Sequence, residues 1–176
     1  MKKNKISVDK LEQFSNIQPI SHFVILMLAT FGLYLFYWFY RNWKQFKLHQ
    51  KLEIKPGWLT VGFFFPILNI ILLYRQFKYI RVVAESREIK ELYSPGWALS
   101  GYFILNGMAG LPRPFWIIAM FSIWPIVPVQ NTLNLYWKTE QPNSPLKKKF
   151  TGKEIILLII GGILWALVLT GFFLSE

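Results

Sequence analysis

Residues 30–44 read Thr-Phe-Gly-Leu-Tyr-Leu-Phe-Tyr-Trp-Phe-Tyr-Arg-Asn-Trp-Lys, and this stretch decides how the first apolar block of the chain folds. The block, residues 22–40, has about the 20-residue length that a bilayer core requires. Gly32 lies inside it, and glycine adopts turn conformations at low steric cost. The aromatic and cationic side chains at its end suit the lipid headgroup layer. The stretch therefore predicts a membrane segment with an internal break at residues 30–32.

The composition of the whole chain agrees with a membrane location. Of the 176 residues, 53% are apolar and 18% aromatic, and 20 Lys and Arg against 9 Asp and Glu give a net charge of +11. The apolar residues form blocks separated by basic stretches, which is typical of integral membrane proteins and not of soluble domains. The chain has no cysteine, which excludes a disulfide frame, a thiolate metal site and a thiol nucleophile.

Four further apolar blocks follow the first, and three of the five blocks contain residues that interrupt helices. Proline removes a backbone donor and kinks or ends a helix, and it occurs inside the second block as Pro66 and inside the fourth as Pro125 and Pro128. The sequence predicts an all-α polytopic membrane protein with about five apolar helical segments, some of them broken or re-entrant hairpins. The later blocks are residues 58–74, 97–111, 115–136 and 155–174.

The last block is uninterrupted and predicts a C-terminal transmembrane helix. Thr151 and Glu154 have the spacing of a capping box at its start. Gly162, Ala166 and Thr170 lie four residues apart, and such a stripe of small side chains predicts a helix-packing face.

The chain divides into four regions by composition. We expect a basic N-terminal segment, a broken-helix membrane region, a basic loop and the C-terminal helix, at residues 1–20, 21–138, 139–153 and 154–176. A weak internal repeat relates residues 56–75 to residues 95–138, because Pro-Gly-Trp opens both stretches and a Pro-x-x-Asn pattern recurs near their ends. If the repeat is real, the second unit is an enlarged version of the first.

The distribution of basic residues gives two alternatives for the topology. Lys and Arg favour the cytoplasmic side of membrane proteins. Five simple crossings from a cytoplasmic N-terminus would leave the basic loop after the first block on the outer side. If residues 22–40 and 58–74 instead enter and return, every Lys and Arg except Arg113 lies on the cytoplasmic side. The charges favour the re-entrant arrangement, although full crossing stays open.

The sequence gives little support for catalysis, metal binding or ion coupling. No Asp or Glu occurs inside an apolar block, so the buried carboxylate expected of proton or sodium coupling is missing. The two histidines, His22 and His49, belong to no cluster with metal-ligand spacing. We therefore expect no catalytic residues, no metal and no cofactor. The basic charge is spread over membrane-flanking loops, which argues against nucleic-acid binding.

Two groups of polar residues are candidate sites. Amides inside the apolar blocks could form a polar groove for a headgroup or a small solute, or could simply join helices by hydrogen bonds; they are Asn69, Asn106, Gln130, Asn131 and Asn134. Basic residues beside the blocks could contact anionic lipids, or could serve topology alone; they are Arg41, Lys44, Lys47, Lys147, Lys148, Lys149 and Lys153.

Three motifs resemble those of a group of uncharacterised bacterial integral membrane proteins, of the domain-of-unknown-function type. Residues 30–40 match its T-x-G-x-Y-x-x-Y-W-x-Y signature, residues 111–116 are similar to its L-P-x-P-x-W motif, and residues 125–130 are similar to its P-x-x-P-V-Q motif. Phe115 stands where such proteins carry tyrosine. The resemblance covers most of residues 20–138. It implies a bacterial inner-membrane setting and supplies no activity.

These observations together favour a non-enzymatic integral membrane protein of the bacterial inner membrane, with a cytoplasmic N-terminus. We expect an accessory subunit of a membrane complex or a lipid-interacting scaffold. An uncoupled small-solute channel or carrier is the alternative. The expected partners are membrane lipids, including anionic ones, together with further copies of the chain or another membrane protein, because re-entrant segments need protein cover.

Overall fold

The computed structural model describes residues 17–90, 93–112, 115–142, 146–147 and 149–174, and the regular structure within these ranges is entirely helical. The predicted all-α class is confirmed. The α-helices are α1 Ile20–Ala29, α2 Tyr34–Gln50, α3 Pro56–Val61, α4 Pro66–Glu85, α5 Pro95–Gly107, α6 Val127–Glu140 and α7 Gly152–Leu174. Stretches of 3₁₀ helix occupy Gly62–Phe64, Met108–Gly110 and Phe115–Ile126.

The first apolar block is divided into α1 and α2 by a turn at residues 30–33. The Gly32 N–H donates to the Met27 carbonyl at 2.9 Å, and the Phe31 N–H donates to the Leu28 carbonyl at 3.3 Å. This is the Schellman arrangement that ends helices. Phe31 and Gly32 have φ angles of 50° and 83°, so glycine supplies one of the two left-handed positions that the turn requires.

One buried hydroxyl joins the two helices across this turn. Thr30 Oγ1 donates to the Leu26 carbonyl of α1 at 2.7 Å and accepts the Tyr34 N–H of α2 at 2.9 Å. The side chain thereby satisfies backbone groups at the end of one helix and at the start of the next. The break predicted at residues 30–32 is present.

The chain then folds back on itself, so α1 and α2 form the first hairpin. Gln18, just before α1, accepts hydrogen bonds from Tyr34 Oη at 2.8 Å and from Arg41 Nη2. The ring of Phe23 lies 5.8 Å from that of Trp38. The start of α1 therefore lies beside the middle of α2.

The helices α3 and α4 form a second hairpin whose turn lies beside that of the first. Phe65 is extended, with φ −100° and ψ 117°, and Pro66 begins α4. Asn69 Nδ2 donates to the Phe63 carbonyl at 3.2 Å, which satisfies a backbone group freed by the break. The Phe63 ring lies 5.4 Å from that of Phe36, near the start of α2. We call the end of the molecule with the turns at residues 30–33 and 62–65 the tips. We call the opposite end, with Arg41–Gln50 and Glu140, the base.

The third hairpin is longer and consists of α5 packed against the 3₁₀ segment Phe115–Ile126, which continues into α6. Gly101 permits close approach, because a Cβ atom at this position would lie 2.8 Å from Pro125 Cγ. The ring of Trp137 on α6 stacks on that of Phe46 on α2 at 5.4 Å. α6 thus returns the chain to the base.

Among the described residues, two helices are long and apolar enough to cross a membrane by length and composition, Phe115–Glu140 and Gly152–Gly171. This is fewer than the five apolar segments that the sequence predicts. The reason is physical: the turn at residues 30–33 and the break at Phe65 divide blocks 22–40 and 58–74 into pieces shorter than a full span. Block 97–111 holds only the short α5 and a 3₁₀ turn.

The first half of α7 packs on α1, and the second half extends beyond the first tip. Gly161 lies against the Ala29 carbonyl, and Trp165 Nε1 donates to the Leu28 carbonyl at 3.3 Å. Beyond this contact apolar side chains are exposed, as with Leu167 at 65%. The predicted capping box is present, since the Thr151 N–H donates to Glu154 Oε2 at 2.8 Å and the Glu154 N–H donates to Thr151 Oγ1 at 3.4 Å.

Candidate functional site

A basic pocket of about 260 Å³ opens at the base, where α2 meets the residues before α1 and α7. The α2 residues that line it follow helical spacing and share one face. The cationic lining residues are Arg41, Lys44, Lys147 and Lys153, and the remaining ones include Tyr37, Tyr40, Gln18, Leu48 and Thr151. Four of the seven predicted anionic-lipid contacts are therefore brought together from two distant parts of the sequence.

The other three predicted contacts lie elsewhere. Lys47 is exposed on α2 and does not line the pocket, and Lys149 is exposed in the segment before α7. Lys148 lies outside the described residues.

A buried carboxylate organises the cations of the basic pocket. Glu154 is fully buried and accepts hydrogen bonds from Arg41 Nη1 at 3.3 Å and from Lys147 Nζ. Arg41 also lies over the ring of Tyr37, 5.8 Å from its centroid. Among the described residues, Glu154 pairs with two of the four cations that line the pocket, so the pocket keeps an excess of positive charge. Charge-assisted bonds of this kind fix Arg41 and Lys147 in place.

The environment of Lys147 also affects its protonation. Burial lowers the pKa of Lys147, and the hydrogen bond with Glu154 opposes that effect only in part, so the net pKa is below its usual range. Lys147 therefore loses its proton at a lower pH than an exposed lysine would.

Two of the predicted groove amides form a hydrogen-bond chain inside the protein instead. Gln130 Oε1 accepts a hydrogen bond from Trp38 Nε1, and Gln130 Nε2 donates to Asn134 Oδ1 at 2.7 Å. Asn134 Nδ2 donates to the Gln18 carbonyl at 2.7 Å. These bonds tie α6 to the first hairpin just above the basic pocket.

The remaining amides separate further. Asn69 and Asn106 line one cavity of about 370 Å³ near the tips, together with Tyr102 and residues of the first hairpin. Asn131 is half-buried on α6 and lines neither that cavity nor the basic pocket. The structure therefore places two of the five predicted groove residues in this cavity, joins two others by a hydrogen bond inside the protein, and places Asn131 outside the cavity.

The predicted small-residue stripe on α7 faces away from the chain. Gly162, Ala166 and Thr170 are exposed, and a Cβ atom at Gly162 would meet nothing within 4 Å. The close contact with α1 uses the adjacent Gly161 and Trp165. A role for the stripe in packing against another protein stays a prediction.

A second ionic cluster lies at the base on the other side of α2. Glu140 accepts hydrogen bonds from Arg87 Nε and pairs with His49 Nε2 at 2.8 Å. The described part of the chain has no group of three or more His, Cys, Asp or Glu side chains that could hold a metal ion.

Sequence reasoning missed several residues of the basic pocket. Tyr37 and Tyr40 could have been found, because they precede Arg41 and Lys44 at helical spacing on α2. No sequence signal connects Gln18 with Glu154, since their proximity arises from the fold.

No protein-family model, curated protein or solved structure matches the chain.

Proposed function

We propose that this chain is a non-enzymatic integral membrane protein that binds anionic lipid headgroups in the basic pocket, as a lipid-interacting scaffold or an accessory subunit of a membrane complex. The observation that carries this proposal is the convergence of Arg41, Lys44, Lys147 and Lys153 around one opening. A phosphate group matches the donors that arginine and lysine offer.

The length of α7 supports a membrane placement. From Glu154 to Leu174 the helix rises about 30 Å at roughly 1.5 Å per residue, which equals the thickness of a bilayer core. The exposed apolar side chains of its second half suit contact with lipid. Glu154 would then lie at the membrane surface, and the basic pocket beside it would lie at the level of the headgroups.

The contact between α7 and the first hairpin supports re-entrant insertion. Gly161 meets Ala29 at the tip and follows Glu154 by about 10 Å along the helix, at roughly 1.5 Å per residue. At the level of Gly161 the first hairpin would lie about a third of the way into the bilayer core of about 30 Å, and the second hairpin, whose turn lies beside it, would reach a similar depth.

The hydrogen bonds at the breaks support this depth. Irregular backbone in a membrane is tolerated only where its polar groups are satisfied. Thr30 supplies such bonds at the first tip and Asn69 at the second.

The orientation follows from the charges. Both re-entrant hairpins would begin and end at the base, and the basic residues cluster there, so we assign the base to the cytoplasmic side. The resemblance of residues 30–40 to bacterial membrane proteins supports a bacterial inner membrane.

Lipid retention by matched variants tests the proposal. Lys44 and Lys153 are exposed in the basic pocket, whereas Lys47 and Lys51 are exposed outside it. The experiment compares Lys44→Gln/Lys153→Gln with Lys47→Gln/Lys51→Gln in nanodiscs that contain phosphatidylglycerol and phosphatidylcholine. The protein is released from the nanodiscs, and the lipid that stays bound to it is measured by native mass spectrometry.

The pocket variant should lose anionic lipid selectively. With about 1 kcal/mol for each basic residue near an anionic surface, two substitutions weaken retention of phosphatidylglycerol on the order of 30-fold. The control pair should retain it nearly as well as the wild type. Equal losses in both variants, or no preference of the wild type for phosphatidylglycerol, would refute a dedicated site.

The alternative proposal is an uncoupled small-solute channel or carrier, and only the cavity with Asn69 and Asn106 favours it. Gln130 and Asn134 are engaged in bonds within the protein, which weakens the case for a continuous amide path. Solute flux in proteoliposomes that an Asn106→Leu substitution abolishes would support this alternative.

A further inference from the structure

The cavity near the tips combines an apolar lining with a few neutral polar groups. Its volume of about 370 Å³ lies at the lower end of the range of small-molecule pockets, which is about 300–1,000 Å³. Met27, Phe36 and Met120 contribute apolar surface, and none of the described lining residues is charged. The neutral polar lining residues are Asn69, Tyr102, Asn106 and Ser122.

Asn69 lines this cavity and carries an unpaired hydrogen-bond acceptor. Its Nδ2 donates to the Phe63 carbonyl, which fixes the orientation of the amide. Its Oδ1 is buried and has no hydrogen-bond partner among the described residues. Leaving a buried acceptor unpaired is costly, so a ligand that donates a hydrogen bond would be favoured here.

Tyr102 offers a matching donor. Its hydroxyl oxygen accepts a hydrogen bond from Asn106 Nδ2 at 3.3 Å, so the hydroxyl proton stays available to another acceptor. An alcohol both donates and accepts, so the same ligand group suits the free acceptor of Asn69 and the free donor of Tyr102.

We propose that this cavity binds the hydroxyl end of an uncharged lipid alcohol, whose hydrocarbon chain lies along the apolar wall. A charged headgroup would find no counter-charge among the described lining residues, and its desolvation would be expensive at this depth. This proposal rests on the proposed membrane placement and not on the basic pocket. Lipid-alcohol binding by the cavity and anionic-lipid binding by the basic pocket can therefore be refuted independently.

Binding of three probes with the same chain length tests the proposal. The purified full chain in mild detergent is titrated with 1-hexadecanol, hexadecane or hexadecanoate, and occupancy is followed by native mass spectrometry and thermal stability. Hexadecanol should bind best, because only this probe supplies a neutral hydroxyl.

Tyr102→Phe and Asn69→Leu identify the site. Tyr102→Phe preserves the shape of the side chain, so it remains informative even if Asn69→Leu disturbs the second hairpin. Each variant should weaken hexadecanol binding about tenfold, the effect of one lost hydrogen bond, and should leave hexadecane binding unchanged. Tyr37→Phe, in the basic pocket, is the matched control and should bind hexadecanol like the wild type.

Three results would overturn the proposal. They are equal binding of hexadecanol and hexadecane by the wild type, tighter binding of hexadecanoate, and wild-type hexadecanol binding by Tyr102→Phe. Loss of phosphatidylglycerol retention in the pocket variants does not bear on these results, because those substitutions lie at the base.

Discussion

Two adjacent glycines of α7 allow a sharp test of how this helix packs. A Cβ atom at Gly161 would lie 2.1 Å from the Ala29 carbonyl oxygen, whereas a Cβ atom at Gly162 would meet nothing within 4 Å. Gly161→Ala therefore forces α7 away from α1, and Gly162→Ala changes only the exposed surface of the helix.

The size of the effect follows from this geometry. Real Cβ contacts essentially never fall below 3.0 Å, so the 2.1 Å contact must open by about 1 Å, and overpacking of this kind typically costs about 1–3 kcal/mol. Both variants gain about 0.5–1 kcal/mol from the higher helix propensity of alanine. Since this gain is common to both, the difference in the free energy of unfolding between them is about 1–3 kcal/mol.

Unfolding of the two variants by sodium dodecyl sulfate in mixed micelles, followed by circular dichroism, measures this difference. A gap of 1–3 kcal/mol corresponds to roughly a 5–150-fold change in the unfolding equilibrium. Movement of α7 would also break the hydrogen bond from Trp165 to Leu28, so the fluorescence of the tryptophans should shift in Gly161→Ala only. If Gly161→Ala is as stable as Gly162→Ala, the packing of α7 on α1 described here is wrong.

Three further predictions concern the hairpin turn and the basic pocket. Thr30→Val leaves a buried N–H unpaired, so the free energy of unfolding should fall by about 1–3 kcal/mol in a denaturant titration. Glu154→Gln removes the carboxylate that holds two cations, and the same titration should show a loss of about 1.5–3 kcal/mol. The lowered pKa of Lys147 means that the pocket loses positive charge as pH rises toward the ordinary lysine range, so retention of phosphatidylglycerol should decline at a lower pH in the wild type than in Lys147→Arg.

Matched controls separate these effects from general damage. Thr139→Val removes an exposed hydroxyl that only bonds back to its own helix, and it should change stability little. Glu85→Gln breaks an exposed pair with Arg81 and should cost less than about 1 kcal/mol. Equal losses in Glu85→Gln and Glu154→Gln would contradict the organising role of Glu154, and identical pH profiles of the wild type and Lys147→Arg would contradict the role of Lys147.

The local features of the fold could be predicted from the sequence because they depend on neighbouring residues. Gly32 marks a turn through its left-handed conformation, and Pro66 marks a helix start through its missing N–H. The number of helices long and apolar enough to span a membrane could not be predicted in the same way. Apolar length alone does not reveal whether a block such as 22–40 continues through a break or folds back, since that depends on distant contacts such as the bond between Arg41 and Gln18.

The candidate site likewise combines features that the sequence predicts with features that depend on the fold. The spacing of Arg41 and Lys44 predicts that their side chains lie next to each other on one face of a helix. Lys147 comes close to them only because the first hairpin contacts α7. The periodicity of the sequence does not predict that contact. On α7 the spacing of Gly162, Ala166 and Thr170 predicts a face, but only the structure identifies Gly161 as the residue that touches α1.

The re-entrant path of the first hairpin is the central claim, and labelling of single cysteines tests it most directly because the chain has none of its own. Glu53→Cys lies between the first two hairpins, and Lys149→Cys lies just before α7; both positions are exposed. A membrane-impermeant maleimide should reach both from the same face of the membrane, the cytoplasmic one. Labelling of Glu53→Cys and Lys149→Cys from opposite faces would show that the first block crosses the bilayer and would contradict the re-entrant path.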